Sequence, residues 1–75
     1  MDDRKIFLNE ERKRYYGVRV GDIVKNTYAP HEGKEGTVVK LDPLDNNLVY
    51  VDYGSKYVKY IPQVAEDLII IKAID

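Results

Sequence analysis

The sequence contains no cysteine, no tryptophan, a single histidine (His31), a single phenylalanine (Phe7) and a single methionine. Without cysteine there can be neither a disulfide nor a thiolate zinc site, so apolar packing alone must hold the fold. A lone histidine with no cysteine leaves no nucleophile–base pair, and no phosphate-cradling loop of the P-loop pattern is present. The chain therefore reads as non-enzymatic, with no cofactor. No apolar run approaches the roughly 20 residues that a membrane span needs. The first nine residues, M-D-D-R-K-I-F-L-N, place acid before base and hold only three apolar residues in a row, unlike a signal peptide. A soluble cytoplasmic protein with no membrane partner is the expectation. The missing cysteines fit a reducing compartment.

What is present is a 75-residue chain, enough for one small domain with a thin core. Its net charge is -1, unevenly spread. All four arginines (Arg4, Arg12, Arg14, Arg19) fall in the first nineteen residues, where six bases meet four acids. The remainder carries six lysines against nine acids. A dedicated nonspecific nucleic-acid binder shows a strongly basic face; this chain offers at most a local one.

Residues 1–17 read as an N-terminal helix and lead-in. Asp2 and Asp3 can cap a short α-helix running to about Arg14, with Ile6, Phe7 and Leu8 as its apolar cluster and Glu10 paired to Arg14. Tyr15-Tyr16-Gly17 ends it. Residues 18–75 change to strand character. Ile23-Val24, Thr37 to Leu41, Leu48 to Asp52, Tyr57 to Ile61 and Leu68 to Ile71 are five short candidate strands. In the third, Val49 and Val51 share one face, as a half-buried strand requires. Pro62 is read as the stop of the fourth. Asp42 to Asn47 is dense in turn formers. It matches half a calcium loop but lacks the spacing and the closing glutamate, so a plain turn is expected and no metal. Five closely spaced strands with short connections imply a small antiparallel barrel, whose closure would remove exposed edges. Gly21, Gly33 and Gly36 then mark bends into the first and second strands, at least one with positive φ.

Gly21-Asp22-Ile23-Val24 followed by Gly33-Lys34-Glu35-Gly36-Thr37-Val38 resembles the KOW motif of ribosomal and transcription-elongation proteins. That resemblance implies an SH3-like barrel that contacts RNA or protein. Over residues 11–71 the order E-R-K-R-Y-Y, V-G-D-I-V, A-P-H-E-G-K-E-G-T-V, V-Y-V-D-Y-G, Y-I-P and D-L-I-I-I is also similar to a family of small bacterial and phage-borne SH3-like domains of unassigned activity. It departs at Val51, where that family tends to place a tryptophan, and at Tyr53. The expected fold class is thus mainly β: a five-stranded SH3-like barrel with a short N-terminal α-helix.

Seven tyrosines are the compositional bias. On a small barrel they can roof the core with their hydroxyls wet, or form a stacking surface. In an up-and-down order, one end gathers Tyr28, His31, Lys34, Tyr53, Lys56 and Tyr57. The other gathers Asp42, Asp45, Glu66 and Asp67. Arg12, Arg14 and Arg19 would add phosphate contacts through their guanidinium forks. Two functions stay open. One is a nucleic-acid-associated module, RNA or DNA, using the aromatic-basic end. The other is a protein-interaction or assembly module gripping an extended peptide.

Overall fold

The computed structural model describes residues 14–74. The expected helix over residues 3–14 lies outside this range apart from Arg14. The described chain holds five strands: β1 (Ile23–Asn26), β2 (Glu35–Leu41), β3 (Leu48–Asp52), β4 (Ile61–Val64) and β5 (Leu68–Lys72). They form one antiparallel sheet in the order β4-β3-β2-β1-β5. The only helical pieces among the described residues are two 3-10 turns, Arg14–Gly17 and Ala65–Asp67.

The sheet cannot be flat. Its outer strands would then lie about 19 Å apart, at about 4.8 Å per step. Yet β4 ends at Val64 and β5 starts at Leu68, and that length of chain reaches about 14 Å at most. The sheet must therefore curl, with Ala65–Asp67 linking β4 to β5. Register shifts in the β2–β3 ladder between Val38 and Lys40, and in the β1–β5 ladder between Ile23 and Val24, add local bend.

The concave face holds the core: Tyr15, Val18, Val24, Val38, Val49, Val51 and Ala65, with Leu41, Tyr53, Leu68 and Ile70 packed against it. Val49 and Val51 are fully buried, as the alternation in β3 requires. Each buried valine contributes on the order of 1.5–3 kcal/mol of transfer free energy. A core built mainly of valine therefore tolerates little loss.

Four departures from the sequence reading have physical causes. First, β4 begins at Ile61, where the strand was expected to end, and it contains Pro62. Pro62 pairs with Tyr50, and β4 is an edge strand. A missing N–H is harmless on the open side of an edge. Second, residues 57–60 form no strand, because Ser55 Oγ takes the amides of Tyr57 and Val58 at 3.0 and 3.4 Å in a local turn. Third, Tyr15 and Tyr16 adopt left-handed φ of 53° and 52°. The Tyr15 N–H donates to Asn46 O at 2.6 Å, and its hydroxyl donates to Asp42 O. Burial of the Tyr15 ring and these two bonds hold a backbone shape that costs most residues energy. Fourth, the connection after β4 does not belong to one end. Ala65 N–H and Glu66 N–H donate to Asn47, but the Asp67 carbonyl accepts from Thr27 N–H at 2.9 Å. Asp67 therefore sits with the β1–β2 loop, beside Tyr28, and not with the Asp42–Asn47 turn. Curling of the sheet undoes the parity that placed it there.

Glycine use is explained at two positions. A Cβ on Gly36 would meet Asp52 O at 2.6 Å and Val51 Cγ1 at 2.7 Å, so β2 and β3 can approach only without one. Gly33 has φ +85°, a left-handed turn conformation, with open space around it. Beside Gly21 lies Asp22, fully buried, whose carboxylate accepts Arg19 N–H and Ile74 N–H, each at 2.9 Å. These bonds staple the lead-in to the chain just beyond β5.

Candidate functional site

The β1–β2 loop is organised from both ends by Asn26. Its backbone N–H donates to Lys34 O at 2.9 Å, its carbonyl accepts Gly33 N–H at 2.8 Å, and its side-chain oxygen accepts Tyr28 N–H at 2.8 Å. The Ala29–Pro30 peptide in this loop is cis. The loop carries His31 over the end of β3, where its ring stacks on Tyr53 with centroids 5.5 Å apart and planes 15° from parallel. Lys34 Nζ lies 3.4 Å from His31 Nδ1.

Beneath this stack, polar groups interlock. The Asn26 amide donates to Tyr53 Oη at 3.2 Å and to Gln63 Oε1, and the Tyr53 hydroxyl donates to Gln63 Oε1 at 3.2 Å. β1, the end of β3 and β4 meet in this bridge. Burial raises the Tyr53 pKa above its ordinary 10.0, partly offset by the Asn26 hydrogen bond. The phenol therefore stays protonated and keeps its donor role across neutral pH.

Two hollows flank the bridge. One, about 170 Å³, is walled by His31, Lys34, Tyr53, Val58, Tyr60 and Ile61. The other, about 260 Å³, is walled by Tyr28, Pro30, Pro62, Gln63, Val64 and Asp67. Both run along β4 and open to solvent. A third, shallower depression holds Lys40, Lys59, Asp52 and Tyr60 on the outer side of β3. There Tyr60 packs edge-on to Tyr50, 5.5 Å between centroids, and Lys40 Nζ stands 5.4 Å from the Tyr50 centroid.

The nine residues expected to form a site divide into four groups. His31, Lys34 and Tyr53 are brought together in the first hollow. Tyr28 lines the second hollow, across the amide bridge. Lys56 and Tyr57 are exposed on the β3–β4 connection and line neither hollow; Tyr57 is 90% accessible. The arginines are the fourth group. Arg12 lies outside the described residues. Arg14 directly precedes Tyr15, which is bonded to the Asp42–Asn47 turn. Arg19 is exposed in the turn before β1, its backbone held by Asp22. Sequence reasoning missed Asn26, Ile61, Gln63 and the two prolines that wall the second hollow. The signal available was the alternation Ile61, Gln63 after Tyr60, hidden by reading Pro62 as a stop.

At the opposite chain reversal, Asp42 Oδ1 accepts Leu44 and Asp45 N–H at 2.9 and 3.0 Å, and Asp42 Oδ2 accepts the Tyr50 hydroxyl at 2.8 Å. That hydroxyl first, then the Leu44 amide, hold the Asp42 carboxyl below its ordinary 3.8. Asp45 accepts Asn47 N–H at 2.9 Å. The acids of this turn thus serve their own backbone. Among the described residues no group of three or more histidine, cysteine, aspartate or glutamate side chains could hold a metal ion. No helix among the described residues is long and apolar enough to cross a membrane.

Comparison with protein-family models and with curated proteins gives no match for this chain. The class that fold and site define is therefore a small mainly β domain with an aromatic, two-hollow surface along its β4 edge.

Proposed function

We propose that this chain is a non-enzymatic binding module, an SH3-like barrel closed through the turn at Ala65–Asp67, that takes an extended peptide between its β1–β2 loop and β4. The supporting observation is the pair of hollows along β4 separated by the Asn26–Tyr53–Gln63 bridge. Extended and polyproline segments present side chains at regular intervals with carbonyls free between them. Two aromatic-aliphatic hollows accept the side chains, and the interlocked Asn26, Tyr53 and Gln63 fix the spacing between them. Charge gives the groove a direction. Lys34 stands at one hollow and Asp67 at the other. The best ligand carries apolar or proline residues at two positions, an acidic group toward Lys34 and a basic group toward Asp67.

Nucleic acid is the second reading, favoured by the stacked His31–Tyr53 pair with Lys34 beside it. A base stacked there would be worth about 1–3 kcal/mol. The carboxylate of Asp67 in the adjoining hollow weighs against a polyanion. Titration separates the two. Peptide binding through this groove weakens only mildly between low and physiological salt, whereas phosphate-driven binding falls steeply. A proline-containing decapeptide that shifts no resonance at high micromolar protein, alongside an oligonucleotide that does, would replace the first reading by the second.

A further inference from the structure

The hollow at Asp67 takes a narrower chemistry than the peptide groove proposed above, on which it rests, demands. Its amide side chains are already committed. Asn26 Nδ2 donates to Tyr53 Oη at 3.2 Å and to Gln63 Oε1, and Asn26 Oδ1 accepts Tyr28 N–H at 2.8 Å. Gln63 Oε1 also accepts the Tyr53 hydroxyl, and Gln63 Nε2 donates to Pro62 O at 2.6 Å. Asp67 differs. It is half-buried and is the one charged residue among the described residues that line the hollow. Its carbonyl accepts Thr27 N–H at 2.9 Å and the Thr27 hydroxyl at 2.7 Å. Among the described residues its carboxylate takes no hydrogen bond and no ion pair.

A half-buried carboxylate without a partner is stabilised by a cation that enters beside it. The remaining walls, Tyr28, Pro30, Pro62 and Val64, are an aromatic ring and three apolar side chains. We propose that this hollow is an arginine site: it holds the guanidinium of an arginine in the bound peptide, its face against Tyr28 and the prolines and its edge paired with the Asp67 carboxylate. A guanidinium is planar and weakly hydrated, so its faces accept an apolar wall, and two parallel N–H groups match the two carboxylate oxygens. Stacking on the tyrosine ring adds a cation–π attraction. A lysine ammonium is compact and strongly hydrated, and its three donors diverge. The hollow offers it one carboxylate and otherwise dry walls. Both recognition groups are pinned at the backbone, Tyr28 by Asn26 and Asp67 by Thr27, so little chain order has to be gained on binding.

The test is calorimetric titration of the full chain with three proline-containing decapeptides that differ only at the basic position, which holds arginine, lysine or alanine. Circular dichroism and thermal melting verify that each variant is folded. The arginine peptide is expected to bind about tenfold tighter than the alanine peptide and about threefold tighter than the lysine peptide. Asp67→Asn should bring the arginine and alanine peptides to within about twofold of each other. Tyr28→Ala, at an exposed position, should bring the arginine and lysine peptides to within about twofold of each other, both still tighter than the alanine peptide. Tyr57→Ala, which lines neither hollow, should keep the order of the three. A wild-type chain that binds all three alike, or binds lysine as tightly as arginine, overturns the arginine site and leaves the groove standing. An arginine preference that survives Asp67→Asn overturns it as well. A folded wild-type chain that binds none of the three removes the groove, and the arginine site with it.

Discussion

The two principal chain reversals, Asp42–Asn47 and the loop from Thr27 to Lys34, treat their polar side chains oppositely. In the first, Asp42 and Asp45 spend their oxygens on the amides of Leu44, Asp45 and Asn47 and on the Tyr50 hydroxyl. Tyr15 closes the turn from behind. In the second, Asn26 organises most of the backbone, helped by bonds from Lys34 N–H to His31 O and from Thr27 N–H to Asp67 O. The ring of His31 and the ammonium of Lys34 are then free to form a wall, and Tyr28 forms another. A turn that satisfies itself is architecture; a loop held mainly by one buried residue at its root leaves its remaining side chains available.

This contrast can be broken at several strengths. The largest effect is expected from Gly36→Ala. The new Cβ would press on the Asp52 carbonyl at 2.6 Å, and backbone cannot yield as a side-chain tip can. Urea unfolding should report a loss of about 3 kcal/mol, with peptide binding lost in parallel because Tyr53 is displaced. Val49→Ala, at a fully buried site that lines neither hollow, should cost about 2 kcal/mol while leaving affinity unchanged in the folded fraction. Tyr53→Phe keeps the stack but removes a hydroxyl that serves both Asn26 and Gln63. About 1 kcal/mol of stability should be lost, and peptide affinity should fall while Tyr57→Ala, at an exposed site lining neither hollow, leaves both quantities within about 0.5 kcal/mol of wild type.

The finest test concerns pH at the self-satisfied turn. The carboxyl of Asp42 is held below its ordinary value, so its contribution is complete above pH 3.8 and fades as pH falls through the depressed value. The phenol of Tyr50 is held above its ordinary 10.0, first by the same hydrogen bond, so its contribution is complete below pH 10.0 and fades above. Tyr50→Phe should remove the hydrogen-bond part of the acid-side dependence and all of the tyrosine's alkaline-side dependence. Chemical denaturation across pH would show it. An unchanged acid limb would mean that the backbone amides of Leu44 and Asp45 alone set the carboxyl.

Much of the strand pattern could be read from residues. Val49 and Val51 on one face of β3, the turn formers at Asp42 to Asn47, and the bends at Gly21 and Gly33 rest on local chemistry, which a sequence displays directly. The start of β4 was not legible, because Pro62 forbids a central strand but permits an edge one, and edge position depends on the whole sheet. The place of Asp67 was hidden for a related reason: alternating ends describe an up-and-down ribbon, and the short link from Val64 to Leu68 forces a curl that mixes them. Of the site, His31, Lys34 and Tyr53 could be grouped from loop parity. Asn26 and Gln63 could not, since only the meeting of β1 with β4 across the curl gives them a shared partner in Tyr53. The outward isoleucines of β5 were visible as letters, but which of them are exposed follows from the strand's alternation, which turns Leu68 and Ile70 to the core and Ile69 and Ile71 away from it.

The most direct measurement is chemical-shift mapping of the labelled chain during titration with a proline-containing decapeptide that has an acidic residue at one end and a basic residue at the other. The expected map is a continuous track through Lys34, His31, Tyr53, Tyr60, Ile61, Gln63 and Tyr28, largely unaltered between low and physiological salt. Perturbations gathered instead around Arg14 and Arg19, or an absence of any response in the two hollows while the fold stays intact, would contradict it.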